Sequence, residues 1–179
     1  MAKGSGMSIA EQAVAAVPAV AMTSGEDGPD VDRPVRFRGV QHVFSGDNTV
    51  PYMRTGDDLT VAVEYEAFYP TEDVVFSLEI RDDGGNTLMR TDTSIIGLIV
   101  DAPPGPGVMH FGIGRMPLLD GSFSYACGIQ SRSGILYDWQ ETAGTFEVMN
   151  PGKTTGFMRM DVHAALITTE STVDTAAMA

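Results

Sequence analysis

The sequence predicts an all-β protein, an immunoglobulin-like antiparallel β-sandwich of about seven to eight strands with a short helix or linker at its N-terminal side. Two observations carry this. Between Thr55 and Val148, apolar and polar residues alternate in about five runs with no 3.6-residue period among them, the pattern of half-buried strands. Gly, Asp and Pro clusters separate the runs at the spacing of sandwich turns. With 179 residues, 43% of them apolar, the chain has material for one ordinary core.

The elements follow in order. The residues MAKGSG ahead of Met7 resemble a scar of cloning and are set aside. Ser8 to Met22 reads as a short helix: Ser8 is an N-cap with Glu11 three residues on, and Pro18 ends or kinks it. Thr23 to Arg33, rich in Gly, Asp, Glu and Pro, has too little apolar surface to order itself and reads as a flexible linker. Residues 1–33 thus stand before the domain, which is expected to span 34–167.

In the first strand Val35, Phe37 and Gly39 alternate with Arg36, Arg38 and Val40, and Ser45 to Asn48 supplies a turn. Leu59, Val61, Val63 and Tyr65 alternate with Thr60, Ala62, Glu64 and Glu66, the clearest half-buried strand of the chain. Phe76, Leu78 and Ile80 face inward, Ser77, Glu79 and Arg81 outward, and Asp82 to Asn86 (DDGGN) makes a tight hairpin into Thr87 to Thr91. The run Pro103 to Gly107 (PPGPG) reads as a loop, because proline lacks the amide a ladder needs. Met109, Phe111 and Ile113 form the next inward row, then Phe123, Tyr125, Cys127 and Ile129, then Phe146 and Val148. Phe157 to Val162 is expected to add a last strand, and residues 168–179 a mobile tail. Each fully buried Leu, Ile, Val or Phe contributes roughly 1.5–3 kcal/mol, so the inward rows need no metal or cofactor to hold the fold.

Composition removes several functions. A formal charge of −13 is the opposite of a nucleic-acid footprint and disfavours an anionic membrane surface. Cys127 is the single cysteine, which excludes an intrachain disulfide and a structural zinc site and fits a reducing, cytoplasmic compartment. The apolar stretch Ala13 to Met22 is far short of the ~20 residues that span a bilayer and lacks a signal-peptidase site.

No catalytic residue is assigned. Gly152-Lys153-Thr154 lacks the upstream glycine of a phosphate loop, since Glu147 stands there. His42, His110 and His163 lack metal-ligand spacing. Asp57/Asp58 and Asp82/Asp83 fall in turns, Glu64/Glu66 on a solvent face, and Cys127 alternates into the core.

Binding has better candidates. Tyr137, Asp138 and Trp139 lie together with Gln140 beside a loop, and aromatic faces attract the C–H faces of sugar rings while polar neighbours meet the hydroxyls. A lone sandwich tryptophan is also a common core residue, and Trp139 or Tyr137 fits that role as well. The outward row Ser122, Ser124, Ala126, Gly128 and Gln130 has small side chains that leave a shallow groove. The carbohydrate-binding candidates are therefore Tyr137, Asp138, Trp139, Gln130 and Ser124. The excess negative charge favours a neutral glycan unless Arg36, Arg38, Arg81 or Arg115 is focused on the groove.

The succession TGDDLTVAVEYEA (Thr55 to Ala67), VVFSLEIRDDGGNTLMRTDT (Val74 to Thr93), GVMHFGIGRMPLLDGSFSYACGIQ (Gly107 to Gln130) and the Tyr137 to Asn150 segment resembles the C-terminal domain of Wzt-type proteins. These are ATP-binding subunits of ABC transporters that export O-antigen polysaccharide. The PLLDG turn, the alternating strand after it and the Tyr-Asp pair carry the likeness, over about Pro34 to Val162.

The resemblance implies a module that binds the exported glycan, commonly at its modified non-reducing end, and couples recognition to export at the cytoplasmic face of the inner membrane. It implies a homodimer with strand exchange near the C-terminus, and contact with the membrane transporter subunit through the parent protein. No nucleotide-binding domain is legible, so ATP hydrolysis is not expected. The alternative is a non-catalytic interaction or dimerisation module, in which an apolar edge near Phe157 to Ile167 pairs with another chain.

Overall fold

In Leu59–Ala67 every second residue is buried, from Leu59 through Val61, Val63 and Tyr65 to Ala67, because the two-residue period of a strand sends them all to one face. The same logic builds the other elements. The computed structural model describes residues 32–46 and 50–160. These residues form nine strands: β1 (Val35–Phe44), β2 (Met53–Arg54), β3 (Leu59–Ala67), β4 (Thr71–Arg81), β5 (Thr87–Asp92), β6 (Val100–Ala102), β7 (Gly105–Ile113), β8 (Gly121–Ser131) and β9 (Leu136–Met149).

Two sheets enclose the core. One has the order β1-β3-β7; the other runs β2-β9-β8-β4-β5, with β6 on the same edge of β4 as β5. Inward residues of both meet in one cluster that includes Phe37, Val61, Phe76, Leu78, Phe111, Phe123, Ile129 and Phe146, the arrangement of a β-sandwich. The predicted fold class holds, with nine strands in place of seven or eight; β2 and β6, of two and three residues, are too short to show an alternation.

Three sequence expectations need correction. In β1 the register shifts between Phe37 and Gly39, so Arg38 is a bulged extra residue and the alternation reverses. Val40 and Phe44, not Gly39, then pack on the core. The PPGPG run is not wholly a loop: Gly105, Pro106 and Gly107 pair with Ala67, Glu66 and Tyr65. Proline is tolerated there because β7 is an edge strand with one side unpaired. Finally, Phe157 to Met160 form no strand; a single bridge joins Met158 to Leu118. The remaining residues of that expected strand, the N-terminal helix and linker up to residue 31, and the tail lie outside the described residues.

Between the sheets, the His42 Nδ1 stands 2.9 Å from the Tyr125 hydroxyl. Burial lowers the His42 pKa and raises that of Tyr125. Tyr125 closes against Gly144, its register partner on β9, where any Cβ would collide with the phenol.

Candidate functional site

Three of the five site candidates, Trp139, Gln130 and Ser124, gather on the face of the larger sheet that points away from the core. On β8, Phe123, Tyr125, Cys127 and Ile129 are buried inward, which turns Ser124, Ala126, Gly128 and Gln130 outward. On β4 the outward residues are Val75, Ser77, Glu79 and Arg81, paired in register with Gln130, Gly128, Ala126 and Ser124. Ser77, Gly128 and Trp139 stand side by side across β4, β8 and β9.

Gly128 makes this row possible. A Cβ at that position would lie 2.5 Å from Ser77 Oγ and 2.9 Å from Trp139 Cε3, so the six-membered ring of the indole rests on space that only glycine leaves open. Trp139 is half-buried, with the rest of its surface toward solvent. Its Nε1 donates to Glu141 Oε2 at 2.5 Å.

Glu141 belongs to a charged chain along the same face. It pairs with Arg81, whose Nε donates to Glu79 Oε1 at 2.7 Å, and Thr87 Oγ1 donates to the same Glu79 oxygen at 2.5 Å. The Thr87 hydroxyl and then Arg81 hold the Glu79 carboxyl below its ordinary pKa, and Arg81 followed by the indole N–H does the same for Glu141. Both carboxylates are therefore ionised acceptors at neutral pH. Glu141 reaches the chain through a bulge: Gln140 pairs with Cys127 and Gly144 with Tyr125, leaving three β9 residues opposite Ala126 alone, a device that re-aims side chains.

Of the residues singled out from sequence, Trp139, Gln130 and Ser124 share this face. Asp138 does not: it pairs with inward-facing Ile129, and its Oδ2 accepts the Phe37 N–H of β1 at 3.0 Å, tying the two sheets together. Tyr137 sits at a register shift and packs against the core. Glu141, Glu79, Ser77 and Thr87 join this face without a binding motif in the sequence; the two-residue step from Trp139 to Glu141 and from Glu79 to Arg81 is the signal that places each pair together.

A pocket of about 170 Å³ opens at one end of β4, walled by Val75, Leu98, Ile99 and Val100 with Asp73 and Arg132 at its rim. Among the described residues, no group of three or more His, Cys, Asp or Glu is placed to hold a metal ion, and no helix is long and apolar enough to cross a membrane.

Residues 32–160 match the model of the family described as Wzt C-terminal domain. The chain belongs to this family. A crystal structure of the C-terminal domain of Wzt superposes with a TM-score of 0.66 at 12% identity, covering 75% of this chain and 84% of that one, so the sandwich itself is the shared feature. The O-antigen export system ATP-binding protein RfbB of Myxococcus xanthus is 26% identical over 136 residues. That match covers 72% of this chain and 31% of RfbB, so the chain spans about a third of that relative's length.

Proposed function

We propose that this Wzt C-terminal domain binds the O-antigen polysaccharide destined for export, at its non-reducing end, on the outward face of the larger sheet. The observation that carries the reading is the fixed indole: Trp139 lies over Gly128 and is anchored by Glu141. A planar ring held in place loses little entropy on stacking, and the exposed Glu141 carboxylate, Ser124 and Gln130 can meet hydroxyls, while buried Glu79 holds Arg81 in place. Glu79 and Glu141 are opposed on this face by Arg81 and by Arg90, the register partner of Glu79. That near-balance suits a neutral glycan.

In this reading the domain is a non-catalytic part of an ABC-transporter ATP-binding subunit, works at the cytoplasmic face of the inner membrane, and couples recognition to export through the parent protein's contact with the transporter. Calorimetric titration of the wild type and Trp139→Ala with the polysaccharide of the source strain tests it. Binding should be lost in the variant; equal affinities would remove Trp139 from the site.

A dimerisation role is the second reading, favoured by one observation. Phe157 and Met160 are 73% and 70% exposed on a segment held to the domain by backbone bonds from Leu119 to Phe157 and from Arg159 to Pro117. A second copy covering this segment would bury them, with strand exchange as one way to do so. Sedimentation of Phe157→Lys against the wild type tests this, with a shift to monomer as the expected result.

A further inference from the structure

The pocket at the end of β4 opens beside the β6 edge of the larger sheet, where Val74 and its register partner Val100 pack on the core while Val75 faces outward with Gln130. Val75, one of its walls, is a single two-residue step along β4 from Ser77, which aligns with Gly128 and Trp139 across the sheet. At strand spacings this separates pocket and indole by on the order of 10 Å, a span that two or three linked sugars cover, with Gln130 between them as the register partner of Val75.

The lining has two characters. Val75, Leu98, Ile99 and Val100 make apolar walls, and Ile99 keeps 68% of its surface exposed. The rim is polar and held in place: the Arg132 N–H donates to the Asp73 carbonyl at 3.1 Å, the Arg132 guanidinium lies 3.4 Å from Asp73 Oδ1, and the Asp73 N–H donates to Asp101 Oδ1 at 3.1 Å. Asp73 adopts φ of 52°, a left-handed conformation uncommon outside glycine, and such residues gather at ligand sites. The volume of about 170 Å³ is below that of a drug-sized cavity and suits one small ring.

We propose that this pocket is a second sugar subsite that takes a 6-deoxy sugar, its C6 methyl against Val75, Leu98 and Ile99 and its ring hydroxyls toward Asp73 and Arg132. A hydroxymethyl group held against Val75, Leu98 and Ile99 would bring a hydroxyl to apolar walls, the polar side chains of the lining being Ser94, Asp73 and Arg132. The proposal rests on reading the outward face as the glycan surface and adds to it the kind of residue selected beside Trp139.

Methyl NMR of the whole chain, titrated with L-fucose and L-galactose and separately with L-rhamnose and L-mannose, tests it. Within each pair the sugars differ by one hydroxyl. The deoxy sugars should shift the Val75, Leu98 and Ile99 methyls saturably, with the hydroxymethyl partners roughly tenfold weaker. Ile99→Asp, a change at an exposed position, should abolish the Val75 and Leu98 shifts while the Trp139 emission still responds to polysaccharide. Equal shifts within each pair would overturn the deoxy selection. Silent pocket methyls with a responding Trp139 would overturn the subsite and leave the glycan face standing; silence at both would remove the two together. Shifts in the pocket without any response of Trp139 to polysaccharide would keep the subsite and remove the indole.

Discussion

Trp139 donates its indole N–H to Glu141, two residues along the same strand, at 2.5 Å. Because Glu141 is also paired with Arg81, and Arg81 with Glu79, the indole's orientation depends on a charge chain that crosses β9, β8 and β4. A flat ring fixed from one side and open on the other is a surface prepared for stacking.

Glu141→Ala removes that anchor. Glu141 is largely exposed, so thermal stability should change little, whereas glycan affinity should fall by about three- to tenfold, the worth of a typical hydrogen bond. Calorimetry and the melting curve of the same variant check both halves.

Gly128→Ala should act on the fold as well as the site. The new methyl would stand 2.5 Å from Ser77 Oγ and 2.9 Å from Trp139 Cε3, so the indole must move off the sheet. Overpacking of this kind costs about 1–3 kcal/mol. Urea unfolding should show that loss, and the Trp139 emission should shift to longer wavelength as the ring becomes wetter.

His42 sets a pH dependence. Burial lowers its pKa below the ordinary 6.5, so the unfolded chain binds a proton before the folded one does. Its contribution is fully present above about pH 6.5 and declines as pH falls below that value toward the folded pKa. Denaturation midpoints at pH 7.5 and 5.5 should differ, and His42→Phe should reduce the difference. Glu79, whose folded pKa is lowered from 4.5, loses its contribution only in a more acidic window, below about pH 4.5, which separates the two groups.

Cys127 is buried and its thiol is pushed up to about 12 by burial. It should resist a thiol reagent at pH 8 in the folded protein and react fully in denaturant. Rapid labelling of the native chain would show that β8 opens locally.

The rows that built the core were legible because nothing interrupts their period: Leu59 to Tyr65 and Phe123 to Ile129 run inward without a break. Where a residue is inserted, alternation misleads. The bulge at Arg38 reversed the second half of β1, and the register shift near Gln130 made Tyr137 an extra residue. Asp138 and Trp139 are neighbours in sequence and so point to opposite sides of the sheet, which is why adjacency grouped residues that the sandwich separates. The pocket was not legible because its lining combines β4, the 94–99 loop, Val100 of β6 and Arg132, and the apolar loop residues carry no strand period.

The most direct measurement is a titration of the wild-type chain with the polysaccharide of its source strain, followed by the emission of Trp139, the single tryptophan, beside an unrelated O-polysaccharide. The account predicts a saturable change with the cognate glycan alone. Unchanged emission through a titration in which calorimetry records binding would contradict it, because the glycan would then be held somewhere other than the face that Trp139 and Glu141 define.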